Sequence, residues 1–263
     1  MSVGLLFDIK EFAIHDGPGV RTTVFFKGCP LRCLWCHNPE GISPEKQLMT
    51  KASRCRHCGK CRQPCTHPEC RPFGRCLYAC PDALISVCGK EWSADELTDR
   101  LTRDAELLRE SGGGVTFSGG EPLMQPDFLT DMLKRMRKAD IHTAIETSGA
   151  AGPETFSEVA RTASLIIMDL KLADPAAHRR FTGADNAVIL KNAAFLQKNG
   201  IPHLFRTPLI PGITDTERNL GALREIVGDS PWETLPYNTL AGAKYPMLGL
   251  PFLYDSYRGE HHD

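Results

Sequence analysis

A parallel α/β sheet, open or partly closed into a barrel and interrupted by a small cysteine-rich insert, is the fold this sequence predicts. Two patterns carry the prediction. Short apolar runs alternate with stretches of helical periodicity, which implies buried parallel strands joined by helical crossovers. Eleven cysteines stand in a 263-residue chain, three between Cys29 and Cys36 and eight between Cys55 and Cys88. A chain of this length buries a core without disulfides, and an odd count at C-x-x-C spacings suits metal ligation in a reducing compartment.

Taken in order, Thr23, Val24, Phe25 and Phe26 read as a strand leading into Gly28 and Cys29. After the insert, Ser93 and Glu96 form a capping box that starts a helix. Residues 115–117 read as a strand ending at Gly119 and Gly120, and 127–139 as the next helix, with apolar Phe128, Leu129, Met132, Leu133 and Met136. The pattern recurs with a strand at 143–145, a helix at 153–162, a strand at 165–168, a helix at 186–199, a strand at 204–206, a helix at 214–226 and a last strand at 233–235. Each strand ends in a polar or glycine-rich tag, and ligands in such sheets bind beyond the carboxyl ends of the strands. Several tags therefore converge on one face.

Thirty-one basic against 32 acidic residues give a formal charge of -1. This balance, without a basic block, excludes a footprint for nucleic acid or an anionic membrane surface. No run of about 18 apolar residues appears, and Asp8 and Glu11 interrupt any signal-peptide core. A soluble cytoplasmic protein is expected.

The loop after the first strand places Cys29, Cys33 and Cys36 at C-x3-C-x2-C spacing. Three thiolates hold three irons of a cubane and leave the fourth open for a substrate amine and carboxylate. The alternative is a zinc knuckle with His37 as fourth ligand, although adjacent Cys36 and His37 are poorly placed to face one ion. In the insert, Cys55, Cys58, Cys61 and Cys65 have ferredoxin spacing. Under the ligand exchange of two-cluster ferredoxins, Cys55, Cys58, Cys61 and Cys80 form one complete 4Fe-4S set. Cys65, Cys70 and Cys76 remain with three thiolates, because Phe73 stands where a cysteine belongs. That set has several readings: a three-ligand cluster, a fourth ligand from Cys88, Glu69 or His67, or a relic. Zinc is the alternative for the whole insert, but its cysteine rhythm closes better around a cubane. Cys88, behind an apolar strand-like stretch, reads as a buried free thiol.

The opening from Ile14 to Cys33, with His15-Asp16-Gly17-Pro18-Gly19 and the C-x3-C-x2-C loop, resembles the radical S-adenosylmethionine (SAM) enzymes, in particular their glycyl-radical-enzyme activating branch. The resemblance extends from Phe7 to Gly249 and implies a partial (β/α)6 barrel built from residues 1–50 and 91–263, with a ferredoxin-type insert at 51–90. Residue by residue, it implies Cys29, Cys33 and Cys36 as ligands of the SAM-binding 4Fe-4S cluster, with Trp35, Cys36 and His37 beside the adenine. Gly119, Gly120 and Glu121, in the Ser118 to Pro122 segment, match the segment that binds the methionine amino group. Thr147 and the Asp169-Leu170-Lys171 tag match further SAM contacts. Arg206 is expected to pair with the SAM carboxylate or to serve as a barrel salt-bridge partner, and Asn238 falls where a relative has a His near the adenine. Glu146 and Asp169 correspond to two acidic positions that help bind a monovalent cation, with Glu here in place of Asp at the first.

The implied function is reductive cleavage of SAM to a 5'-deoxyadenosyl radical that takes a hydrogen from one glycine of a partner glycyl radical enzyme. The insert relays electrons from reduced flavodoxin or ferredoxin, and the protein is expected to be monomeric. Two alternatives stay open: a radical SAM enzyme acting on a small molecule or another peptide, and a non-catalytic iron-sulfur electron carrier or metal-stabilised binding protein. Relatives continue past the equivalent of Gly249 through another helix and strand, so a chain stopping at Asp263 is expected to fall short of the barrel's last element.

Overall fold

In the computed structural model, which describes residues 2–255 and 257, the chain begins with β1 (Val3–Ala13) and β2 (Arg21–Phe26), paired antiparallel. A small excursion follows, with β3 (Gln47–Thr50) and β4 (Ile85–Cys88) paired apart from the main sheet. Next come β5 (Lys90–Ser93), α1 (Ala94–Leu101), α2 (Ala105–Glu110), β6 (Gly114–Gly119), α3 (Pro126–Lys138), β7 (His142–Thr147) and α4 (Pro153–Thr162). The chain then runs through β8 (Leu165–Asp169), α5 (Pro175–Thr182), α6 (Ala187–Lys198), β9 (His203–Leu209), α7 (Glu217–Val227) and β10 (Trp232–Pro236).

The main sheet has the order β10-β9-β8-β7-β6-β2-β1-β5. Its six strands from β2 and β6 through β10 run parallel, and the sheet does not close on itself. This is the partial barrel expected from the sequence. Helices begin where local chemistry starts them. Ser93 accepts from the Glu96 amide while the Glu96 carboxylate accepts from the Ser93 amide. Pro126, Pro153 and Pro175 supply preset φ angles at the starts of α3, α4 and α5. The apolar face of α3 buries Phe128, Leu129, Met132, Leu133 and Met136 against the sheet side of the core.

The strands β1, β3 and β5 and the helices α2 and α5 escaped the sequence reading. The charged, half-exposed β1 lacks a clean alternation and bulges near Phe12 (φ 59°), β3, β5 and α2 span only four to six residues, and α5 is short and carries two arginines and a histidine. Arg21 ties the strands together under the barrel. Its buried guanidinium donates to Thr116 Oγ1 at 2.6 Å and to the carbonyls of Pro18 and Val115 at 2.9 Å.

Apart from β3 and β4, the insert consists of 3-10 turns at Ala52–Arg54, Lys60–Arg62 and Pro68–Phe73. Its ferredoxin character thus rests on cysteine spacing. Of the stretch after Gly249, where a shortfall of the barrel's last element is expected, residues 256 and 258–263 lie outside the described residues. Among the described residues, no helix is long and apolar enough to cross a membrane.

Candidate functional site

Five of the six parallel strands deliver their carboxyl-end residues directly to one cleft of ≈ 270 Å³, and the cysteine loop that follows the sixth, β2, forms its wall. The loop supplies Cys29, Cys33, Trp35, Cys36 and His37; β6 supplies Ser118, Gly119 and Gly120; β7 supplies Glu146, Thr147 and Ser148. β8 contributes Asp169 and Lys171, β9 contributes Arg206, and β10 leads to Tyr237.

Backbone bonds fix this loop from both sides. The amides of Arg32 and Leu34 donate to the carbonyls of Thr182 (2.6 Å) and Phe181 (3.1 Å), at the end of α5. Gly28 and Cys29 donate to Gly41 and Ile42 at 2.8 and 3.1 Å, and the Glu121 amide donates to Gly28 at 2.7 Å. The 3-10 segment Thr239–Leu248 closes over the loop: Tyr245 Oη donates to the Cys36 carbonyl at 3.0 Å, and Lys244 pairs with Glu40 at 2.7 Å. The Trp35 side chain is buried in a second apolar cluster with Leu172, Phe181, Ile210 and Tyr254.

Burial pushes the Cys29 and Cys33 thiols up to about 12 and Cys36 up to about 11. Thiols held neutral in this way become ligands when a bound metal supplies compensating charge. Lys171 works in the same direction, lowering all three. Burial opposes its own charge, but Asp169 at 2.6 Å and the neighbouring Cys33 outweigh it, and Lys171 titrates above an ordinary lysine. Three thiols on one cleft wall, facing glycines and paired charges, fit a three-ligand cubane with an open iron and a zwitterionic ligand beside it.

Arg206 is bound to carboxylates already present. It pairs with Glu146 at 2.5 Å and with Glu233, and donates to the His15 carbonyl at 3.0 Å, latching the opening segment over the barrel. It also lines the cleft. Burial and the Asp16 charge raise Glu146 to about 7, against the opposing effects of Ser118 and Arg206. Glu146 and Asp169, the expected cation pair, both line the cleft, each already paired with a cation of the protein, Arg206 and Lys171.

Three expected SAM contacts lie elsewhere. The fully buried Glu121 accepts from Thr147 Oγ1 (2.7 Å), Leu123 N (3.3 Å), Ser148 N (2.9 Å) and Ser148 Oγ (2.6 Å). Its carboxylate is saturated by protein donors and does not line the cleft. Leu170 points into the main core, as strand alternation demands when Asp169 and Lys171 face the other way. The Asn238 side chain is exposed and accepts from the Leu240 amide at 3.0 Å; Tyr237, its neighbour, lines the cleft and lies 6.2 Å from the His37 ring. Ser118 and Ser148, which belong to the strand-end tags of β6 and β7, line the cleft, and so does Tyr237, to which the sequence reading gave no ligand contact although it directly follows β10.

In the insert, Cys55, Cys58, Cys61 and Cys80 surround a cavity of ≈ 30 Å³, the set that the ligand exchange anticipates. Cys65, Cys70 and Cys76 gather with His67. Cys88 is a buried thiol that accepts from Lys27 Nζ at 3.7 Å, and Glu69 accepts from Tyr78 Oη at 2.7 Å.

Residues 23–220 match the Radical SAM superfamily. The (2S)-3-sulfopropanediol sulfolyase activating enzyme of Bilophila wadsworthia (strain 3_1_6) is 36% identical over 280 residues, covering 94% of this chain and 89% of that protein. The 4-hydroxyphenylacetate decarboxylase activating enzyme of Clostridium scatologenes is 37% identical over 280 residues, covering 97% and 89%. Among solved structures, Streptococcus suis SuiB bound to precursor peptide SuiA aligns with a TM-score of 0.52 at 14% identity. That alignment covers 88% of this chain and 44% of SuiB and is a likeness of fold alone.

Proposed function

This chain belongs to the radical SAM superfamily and, within it, to the activating enzymes of glycyl radical enzymes, and from that premise we propose that it installs the glycyl radical on a partner enzyme. Its cofactors are a 4Fe-4S cluster and SAM. When bound and reduced, the cluster supplies the electron that splits SAM into methionine and a 5'-deoxyadenosyl radical, which abstracts hydrogen from the partner's glycine. One observation carries this reading: three thiols of a single loop share a cleft with the strand-end tags of a parallel barrel.

In this assignment Cys29, Cys33 and Cys36 hold the cluster. Gly119 and Gly120 bring backbone close to the methionine end of SAM, and Lys171, held by Asp169, offers its ammonium to the carboxylate. Thr147 lies beside the same end, and Arg206 holds Glu146 and the His15 carbonyl in place. His37, Trp35 and Tyr237 provide the aromatic wall for the adenine. The barrel walls keep solvent from the radical. Hydrogen-atom transfer needs no general base.

The insert at 51–90 passes electrons inward through the Cys55, Cys58, Cys61 and Cys80 set, from reduced flavodoxin or ferredoxin. We place the protein in the cytoplasm as a monomer. The test is electron paramagnetic resonance after anaerobic mixing of reconstituted protein, SAM and reductant with each glycyl radical enzyme of the source organism. A glycyl radical signal on one of them is expected. Deoxyadenosine formed without a radical on any would refute the assignment of substrate.

A further inference from the structure

We infer that Cys65, His67, Cys70 and Cys76 form a mononuclear tetrahedral zinc site, distinct in kind from both iron-sulfur sets. Their ligand atoms all lie within 4.8 Å of one another, and Cys76 Sγ is 3.8 Å from His67 Nδ1. Zinc bound to thiolate at about 2.3 Å and to imidazole at about 2.0–2.1 Å sets ligand-to-ligand edges of about 3.6–3.8 Å. A cubane distributes its ligands over four separate irons, so they stand on a larger tetrahedron with room for inorganic sulfide between them. The Cys55, Cys58, Cys61 and Cys80 set surrounds a cavity, whereas the ligand atoms of this set are drawn together.

The other claimants to the fourth position are otherwise engaged. Glu69 accepts from Tyr78, Cys88 accepts from Lys27, and Phe73 stands at the ferredoxin ligand position. His67 is braced instead, its ring lying 4.9 Å from that of Tyr78. The Leu77 amide donates to Cys70 Sγ at 3.3 Å, a bond that favours the thiolate. Cys70 and Cys76 are buried, while Cys65 and His67 are exposed and leave the metal a path of entry.

An insert of about 40 residues cannot bury enough apolar surface to hold itself together, and metal binding supplies the missing free energy. The Cys76 amide donates to the Cys61 carbonyl at 2.8 Å, so a staple here steadies the loop carrying the relay ligands. Zinc has no redox chemistry. The relay therefore has one cluster, and the chain carries two.

Full-length protein reconstituted anaerobically with iron, sulfide and one equivalent of Zn²⁺ tests this without an activity readout. The expected content is about eight irons, by ligand count, and one zinc. Zinc-edge absorption should show three sulfurs near 2.3 Å and one nitrogen near 2.0–2.1 Å. His67→Ala should lose the zinc to a chelator while keeping its iron, and His67→Cys should retain it with four sulfurs. About twelve irons with no zinc in the parent would overturn the proposal, as would a loss of about four irons in His67→Ala.

Discussion

Replacing Glu121 with Ala removes the acceptor for four donors at once: Thr147 Oγ1, Leu123 N, Ser148 N and Ser148 Oγ. Each buried donor left unpaired costs about 1–3 kcal/mol. The two hydroxyls can turn toward other acceptors, but the two amides cannot, which puts the loss on the order of 4 kcal/mol. For a chain of this size that corresponds to a fall in melting temperature of roughly 10 °C. Glu121→Gln should cost much less. With its amide oxygen toward Ser148, the NH2 faces the Thr147 hydroxyl, which can rotate to accept, and opposes only the long 3.3 Å bond from Leu123. A cost of about 1–2 kcal/mol follows. Anaerobic thermal unfolding of both variants, with SAM affinity measured below their transitions, separates support from ligand contact. Stability within about 0.5 kcal/mol of the parent together with weakened SAM binding in Glu121→Ala would refute the reasoning and return Glu121 to the SAM ammonium.

Gly120→Ala should destabilise the protein and lower its iron content together, by about 1–3 kcal/mol of overpacking, because a Cβ there would sit 2.3 Å from the Gly41 carbonyl oxygen and 2.4 Å from that of Gly28. Iron analysis of the purified variant checks this. Lys171→Met should weaken SAM binding about ten- to a hundredfold, the worth of a charged hydrogen bond, and calorimetric titration of the reconstituted protein reads it. Glu146 binds its proton more tightly in the folded chain, so its contribution to stability is fully present below 4.5 and is lost as pH rises to about 7. The melting temperature of the parent relative to Glu146→Gln should fall across that window and level off above it.

How far the site was legible follows from what spacing encodes. Cysteine intervals and strand-end tags identify which residues reach one face, because a parallel sheet brings its carboxyl ends together. They do not say which way a side chain turns after the strand ends. Gly119, at φ 116°, redirects the chain so that Glu121 caps the turn Pro122–Met124 from inside. Leu170 was within reach of simple alternation, since its neighbours Asp169 and Lys171 already claim the other face. Asn238 serves the next turn as a cap, an ordinary use of asparagine that leaves Tyr237 at the cleft. His67 was visible only as one of several candidates; its nearness to Cys76 arises from a six-residue 3-10 segment that no periodicity announces.

The central claim is that the three thiols on the cleft wall make SAM cleavage possible. Anaerobically reconstituted parent and Cys33→Ala, each given SAM and dithionite, should differ completely in 5'-deoxyadenosine: formed by the parent, at background in the variant, since two thiolates do not hold the cubane. Equal deoxyadenosine from both proteins would contradict the account.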